Sequence, residues 1–320
     1  MKRSVIALLT MSACLTSTSL YAQQPAPAAW PTQPIRLIVS QSAGGSIDIA
    51  ARLIGQKLSN AIGAAVVVDN KAGANGLIAG EAAARATDGH TFLMTSPSTL
   101  TINQHVYKSM PYDTARDFRP VTQTTSIAFL LVVNASSPYK TLGDLIGAAK
   151  AKPGSIRFAS AGIGNQSQLA AELLAGAAKV EMQHVPYKGE APAIVDLIGG
   201  RVDFIFGTMP ALLPQVQSGK LRTLVVGQPT RSAAVPDVPT TAEAGLPSVV
   251  VTGWTGIVAP GSVPAPAIQR MDDEVVKILA QPDVRETLVK AGAEPVGSTP
   301  AQFGEFIRTE TVKWGAAVKQ

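Results

Sequence analysis

The sequence predicts an α/β fold built as two lobes, and three observations carry that prediction. The chain has 320 residues, and at roughly 100 to 200 residues per domain this length suits two domains rather than one. Short β-branched runs alternate with amphipathic stretches through most of the chain, the pattern of βαβ units around a parallel sheet. A strand-to-helix loop containing Ser-Ala-Gly occurs twice, with Gly44 and Gly162 standing 118 residues apart, as expected if each lobe carries one copy.

Composition narrows the function classes. Apolar residues make up 46% and charged residues 15%, with a net charge of +5. This excess is too thin and scattered for nucleic-acid binding. Three histidines and one cysteine leave few ligands for a structural zinc site and exclude a disulfide within the chain. No metal and no cofactor is expected.

The elements follow in order. Lys2 and Arg3 precede an apolar run from Val5 to Leu15, and small or polar residues continue to Ala22. This is the build of a secretory signal peptide over 1–22, too short to span a membrane. Met11-Ser12-Ala13-Cys14 is a faint lipoprotein-like box, and the short run before it argues against lipidation. Segment 23–29, rich in Pro and Ala, is a linker, and Trp30-Pro31 begins the fold. Strand Ile35–Val39 leads to helix Ile47–Ala61, strand Val66–Asp69 to helix Asn75–Ala86, and strand Thr91–Met94 follows. Phe129–Val133 starts a second series. Its helices are 142–150, 166–178, 191–197 and 211–217, and its strands 156–159, 182–185, 204–206 and 221–226. The Pro-rich stretch 229–247 interrupts the rhythm before strand Val249–Val258. Closing helices near 267–280, 282–290 and 300–319 have no strands of their own to cover. They are expected to pack on the first lobe and make it discontinuous: 30–128 with 254–320 as lobe 1, and 129–253 as lobe 2.

The repeated loop carries the clearest chemistry. Ser42-Ala43-Gly44-Gly45-Ser46 follows the first strand, and Ser160-Ala161-Gly162-Ile163-Gly164-Asn165 follows its counterpart. Glycines there let successive N–H groups converge in front of a helix N-terminus, whose dipole favours an anion. Ser46 and Asn165 stand where helix caps belong. Ordinary β-to-α turns use the same residues, but two matching turns suit a ligand with two negative ends. Asp48 could hold an amine, or serve as favourable charge in the first helical turn.

Enzyme readings lack parts. Gly162-Ile163-Gly164-Asn165-Gln166-Ser167 approaches a dinucleotide fingerprint, yet the acid expected about 20 residues on would be Glu181, at the start of its strand rather than the end. This leaves a Rossmann-type dehydrogenase as the weaker rival. No nucleophile elbow and no SxxK is present. His90, His105 and His184 are isolated and read as surface or hydrogen-bonded side chains. The expected class is a binding protein without turnover.

At these residues the chain resembles the substrate-binding proteins of tripartite tricarboxylate transporters, the Bug family of periplasmic receptors. The resemblance runs from about Trp30 to Lys319. Its carriers include Pro34–Val39, Ala43–Ser46 with Asp48, Asp69–Gly76, Ser160–Gly162, Leu169–Leu173, Val185–Gly189, Pro236–Thr240, Ala280–Arg285 and Gly292–Gly297. The resemblance implies a two-lobed periplasmic binding protein of type II-like architecture, with two crossover strands and the ligand in the cleft between lobes. It implies a small carboxylate or dicarboxylate ligand, integral membrane transporter subunits as partners, and a periplasmic monomer. A receptor serving a sensor kinase would look alike. Ligand contacts implied are Ser42, Ala43, Gly44, Gly45, Ser46 and Asp48 on the first loop, then Ser96 and Thr99. On the second lobe they are Ser160, Gly162, Gly164, Asn165, Tyr187 and Thr208, although aromatic packing is an equal role for Tyr187. The chain departs from the family pattern at Ser40-Gln41, where Pro-aromatic is usual, at Ile47, where a hydroxyl is usual, and at Asn165 and Gln168.

Overall fold

The computed structural model describes residues 30–318; the predicted signal peptide and linker lie outside the described residues. The chain opens with β1 (Ile35–Val39), α1 (Ser46–Ile62), β2 (Val66–Asn70), α2 (Leu77–Ala84) and β3 (Thr91–Thr95). β1 pairs in parallel with β2 on one side and β3 on the other. Its apolar run is buried on both faces, as a parallel strand covered by helices requires. A π-type turn over Ser98–Ile102 leads into α3 (Asn103–Val106), and α4 (Thr114–Asp117) precedes the 17-residue strand β4 (Phe118–Asn134).

β4 joins the two halves of the molecule. Through Ala128 it pairs antiparallel with β9 (Thr252–Pro260) and β10 (Ala293–Pro295). From Phe129 onward it pairs antiparallel with β7 (Phe204–Thr208) and β8 (Leu221–Val226). The second half also contains α5 (Leu142–Ala151), β5 (Arg157–Ser160), α6 (Gln166–Ala178), β6 (Gln183–Pro186), α7 (Glu190–Ile198) and α8 (Met209–Gln217). There β5 runs parallel to both β6 and β7. The strand order is β2-β1-β3-β9-β4-β7-β5-β6, with β8 and β10 also on β4. The sheet is therefore mixed rather than parallel, because β4 and β9 cross between the halves in opposite directions.

Apolar packing follows the same division. In one half, Leu37, Ile54 and Phe92 pack with Met271 and Val275 of α9 (Ala265–Leu279) and Leu288 of α10 (Pro282–Lys290). In the other, Phe129, Phe158, Leu174 and Phe206 share one cluster, and Leu130, Ile205 and Leu212 another. α11 (Pro300–Ala317) is fixed to the crossing strand by a buried carboxylate. The indole N–H groups of Trp254 and Trp314 each donate to Glu310 Oε2 at 3.0 Å, and Lys313 Nζ donates to its Oε1 at 3.0 Å.

β10 has no counterpart in the sequence expectation, and the strand expected over 249–258 runs over Thr252–Pro260; two further elements, β4 and α2, differ more. Patterning predicts this crossing strand only over 129–133, because Phe118–Ala128 carries Pro120 and a polar run in place of apolar alternation. Those hydroxyls are buried and satisfied: Thr124 and Thr125 each bond Thr255 Oγ1 at 2.6 Å, and Thr122 donates to the Ser298 carbonyl at 2.6 Å. The ladder slips between Pro120 and Thr122, where proline has no N–H to give. The helix expected from Asn75 begins at Leu77 instead, since Ala74, Asn75 and Gly76 are successively left-handed, with φ of 45°, 52° and 85°.

Asp272 of α9 is buried, and its Oδ1 has no hydrogen-bond partner among the described residues. Burial, and then the neighbouring Asp273, push its carboxyl up to about 6. The folded state thus holds this proton more tightly than the unfolded chain, so the group opposes folding above about pH 6 and ceases to oppose it as pH falls below about 4. Asp272→Asn should raise the melting temperature at pH 7.5 and much less at pH 4, as read by thermal melts across that range.

Candidate functional site

Between the two halves lie two adjoining cavities of about 30 Å³ each. Gln41, Ile47, Ser96, Ser98 and Asn165 line both. The inner one is floored by Phe129, Gly253 and Trp254 of the crossing strands and reaches Ser46, Gln166, Glu190 and Thr208. The outer one adds Gly76, Thr99, Ala161 and Lys188. Beyond it, Gly162, Tyr187, Tyr107 and Asn75 border a groove of about 240 Å³ at the mouth. Among the described residues, hydrogen bonds cross the interface at four places. Asn165 Nδ2 donates to Asn75 Oδ1 at 2.9 Å, the Gln166 N–H to Ser98 Oγ at 3.3 Å, Gln41 Nε2 to Glu190 Oε2 at 3.2 Å, and the Tyr107 hydroxyl to the Ile163 carbonyl at 3.4 Å.

The first loop corrects the expectation of an open backbone nest. Gly44, at φ +80°, donates its N–H to Asp48 Oδ2 at 2.9 Å, and Gly45 donates to the Ser42 carbonyl at 3.1 Å. Gly45, rather than Ser46, is the N-cap of α1, and it has no side chain to offer. Gln41 performs the capping: its Oε1 accepts from Ile47 N–H at 3.0 Å and from Ser46 Oγ at 3.4 Å. A Cβ at residue 45 would lie 2.4 Å from that side chain, so any larger residue there would displace the cap. Ala43 and Gly44 are outside both cavities; of this loop only Ser46 lines one. The Ser42 hydroxyl is buried without a partner among the described residues.

Asp48 faces its own half of the molecule. Besides Gly44 it accepts from Arg52 Nε at 3.0 Å and Asn70 Nδ2 at 2.9 Å. Burial works to raise its pKa, but the bonds from Arg52, Gly44 and Asn70 hold it below the ordinary carboxylate range. The helix-start role prevails over amine binding because every donor it meets is already in the chain.

The second loop repeats this arrangement two residues later than the sequence echo implies. Gly164, at φ +71°, donates its N–H to Gln168 Oε1 at 2.7 Å, as Gly44 does to Asp48 four residues on. Asn165 is the N-cap of α6, its Oδ1 accepting from Ser167 N–H at 2.9 Å. The structural counterpart of Gly44 is therefore Gly164, not Gly162. The N–H groups of Ala161 and Gly162 go to Ser167 Oγ at 2.9 Å and Ser160 Oγ at 3.2 Å. Ser160 is fully buried behind the cleft, bonded to His184 Nε2 at 2.6 Å. His184 stacks on Phe158 at 4.9 Å, and burial lowers its pKa. Tyr187 directs its hydroxyl to Asp196 at 2.7 Å; burial and then that carboxylate push it up to about 12.

Of the expected contacts, Ser46, Ser96, Thr99, Asn165 and Thr208 converge on the cavities, while Gly162 and Tyr187 stand at the mouth. Ser96 and Thr99 offer hydroxyls with no other bond among the described residues. Sequence reasoning missed Gln41, Asn75, Ser98, Gln166, Lys188 and Glu190. Charges two residues apart, Lys188 and Glu190, where a strand gives way to a helix, were the available signal.

The family described as tripartite tricarboxylate transporter family receptor matches residues 50–320. The chain belongs to this family. It is 36% identical over 293 residues to Protein BugT of Bordetella pertussis, covering 91% of this chain and 90% of that protein. Its fold matches a Rhodopseudomonas palustris protein solved with adipate (34% identity, TM-score 0.88, covering 91% of this chain and 97% of that one). It also matches MatC from the same organism with bound malate (30% identity, TM-score 0.85, 90% and 100% covered). The architecture is that of the family's periplasmic binding proteins, solute-binding receptors rather than enzymes.

Two glycines let the halves meet. A Cβ at Gly189 would lie 2.6 Å from Ser42 Oγ, and one at Gly164 would lie 2.8 Å from Val106 Cγ1. Both residues also have positive φ, where a side chain is strained. Gly189→Val and Gly164→Val should retain native circular dichroism yet hold the halves apart. Small-angle scattering checks this as a larger radius of gyration than the wild type at saturating ligand.

Proposed function

We propose that the protein captures a small carboxylate or dicarboxylate in the cleft between its halves, outside the cytoplasm, and delivers it to the integral membrane subunits of a tripartite tricarboxylate-type transporter. The observation that carries the reading is the interlobe cavity itself, whose lining includes the hydroxyl residues Ser96 and Thr99 and the cationic Lys188. Hydroxyl donors and a nearby cation favour an ionised carboxylate over its neutral acid. Lys188 forms no ion pair among the described residues and borders both the outer cavity and the mouth. Adipate and malate in two solved relatives support the same ligand class. The signal peptide expected over 1–22 supports export.

Capture requires motion. Each cavity is far smaller than the roughly 300 Å³ or more of ordinary ligand sites. The lobes, 30–128 with 254–320 and 129–253, rotate about the crossing strands near Ala128–Phe129 and Val251–Thr252 to admit the acid. Hinge closure of this kind changes little inside either lobe.

A thermal-shift screen tests the ligand class: C4 to C6 dicarboxylates should raise the melt and neutral sugars should not, and the reverse pattern would overturn the reading. Ser96→Ala and Thr99→Val should each weaken binding about tenfold, the effect of losing one hydrogen bond to a charged group. Lys188→Gln should weaken binding and flatten its dependence on salt, both read by calorimetric titration at two ionic strengths. For the transport role, deletion of the receptor should abolish uptake of the acid.

A further inference from the structure

Glu190 is the feature of the cleft that carboxylate capture leaves unexplained. It opens α7 at the inner cavity and is only 3% exposed. An acidic side chain buried in the cleft of an anion receptor would repel the ligand, unless its charge is already engaged. The engagement comes from both halves of the molecule. Thr208 donates its N–H to Oε1 at 2.8 Å and its hydroxyl to Oε2 at 2.7 Å. From the opposite side Gln41 Nε2 donates to Oε2 at 3.2 Å, and Ser46 at the start of α1 lines the same cavity. Burial works to raise the Glu190 pKa, while the bonds from Thr208 and Gln41 and the nearby start of α1 work to keep it ionised. Glu190 fills the very end of the first loop that sequence alone would assign to a ligand.

We propose that Glu190 is a built-in anion that latches the cleft, bridging Thr208 on its own half to Gln41 on the other so that the receptor closes without a bound acid. Gln41 is suited to the other side of the latch because its two ends do different work. Its Oε1 caps α1 through Ile47, which orients the amide so that Nε2 faces Glu190. The consequence is a self-closed population that must open before ligand enters. Apparent affinity is then reduced by the fraction that is latched. The proposal rests on the reading of the cleft as a ligand site, and its test separates the two.

The test is a charge swap followed by small-angle scattering on protein refolded free of ligand. The wild type should be compact. Glu190→Gln should expand it, because an amide has one acceptor oxygen for three donors, the Thr208 N–H, the Thr208 hydroxyl and Gln41 Nε2. Gln41→Glu should also expand it by placing two carboxylates side by side across the interface. The double variant, Gln41→Glu with Glu190→Gln, should restore compactness. In it the carboxylate moved to position 41 can still cap α1 and accept from the amide now at position 190. This recovery guards against a mere folding defect in the single variants. Glu190→Gln should also bind malate or adipate more tightly, by about tenfold where nine-tenths of the wild type is latched. A wild type that is expanded without ligand, a swap that stays expanded, or weaker binding by Glu190→Gln would overturn the latch. Carboxylate capture fails separately, if the wild type binds no carboxylate at all.

Discussion

The cleft exists because one strand belongs to two half-sheets. β4 is bonded to β9 and β10 over its first part and to β7 and β8 over the rest, so neither half can form without fixing the start of the other. Its companion β9 returns in the opposite direction. The two extended segments lie side by side, and β4 changes pairing partners at Ala128–Phe129. The inner cavity is floored at that change of partners, by Phe129, Gly253 and Trp254. Glu310, holding both Trp254 and Trp314, anchors α11 to β9 beside this cavity.

Within this frame the two β-to-α loops show how a helix start can be satisfied without a ligand. Each contains a left-handed glycine whose N–H turns to a side chain four residues on, Asp48 for Gly44 and Gln168 for Gly164. Each helix also has a polar cap, Gln41 for α1 and Asn165 for α6. A buried N–H left unpaired costs about 1 to 3 kcal/mol, a cost these loops avoid with side chains of their own. The side chains left at the interface are the hydroxyls of Ser96 and Thr99, Lys188, and the amides and carboxylate that bond across it.

Gln41 connects these roles. In the family pattern this position belongs to a Pro-aromatic pair, and here a carboxamide both caps α1 and reaches Glu190 on the opposite half. The close approach of the halves depends equally on what is missing, since a Cβ at Gly189 or Gly164 would meet Ser42 or Val106. Asn75 meets Asn165 from a backbone held left-handed at φ 52°, a conformation retained because Asn103 bonds it from behind at 2.6 and 3.0 Å.

What the sequence alone determined were the elements whose identity is local. β1, α6, β8 and α10 are legible to the residue, because apolar periodicity, helix caps and Pro or Gly boundaries are fixed by near neighbours. Ser46, Ser96, Thr99, Asn165 and Thr208, expected as ligand contacts, line the interlobe cavities; Ser46 and Asn165 were singled out by the repeated loop, and Ser96, Thr99 and Thr208 through the family resemblance alone. The first part of β4 was not: its Thr and Gln side chains are buried only because Thr255 and Ser298, far along the chain, supply their partners. The fate of the loop N–H groups was likewise decided by tertiary structure, through Gln41, Asp48 and Gln168 turning back on them. Glu190 makes the same point most plainly, because a carboxylate at the start of α7 reads as a surface charge until a fold brings Gln41, 149 residues away in sequence, within 3.2 Å of it.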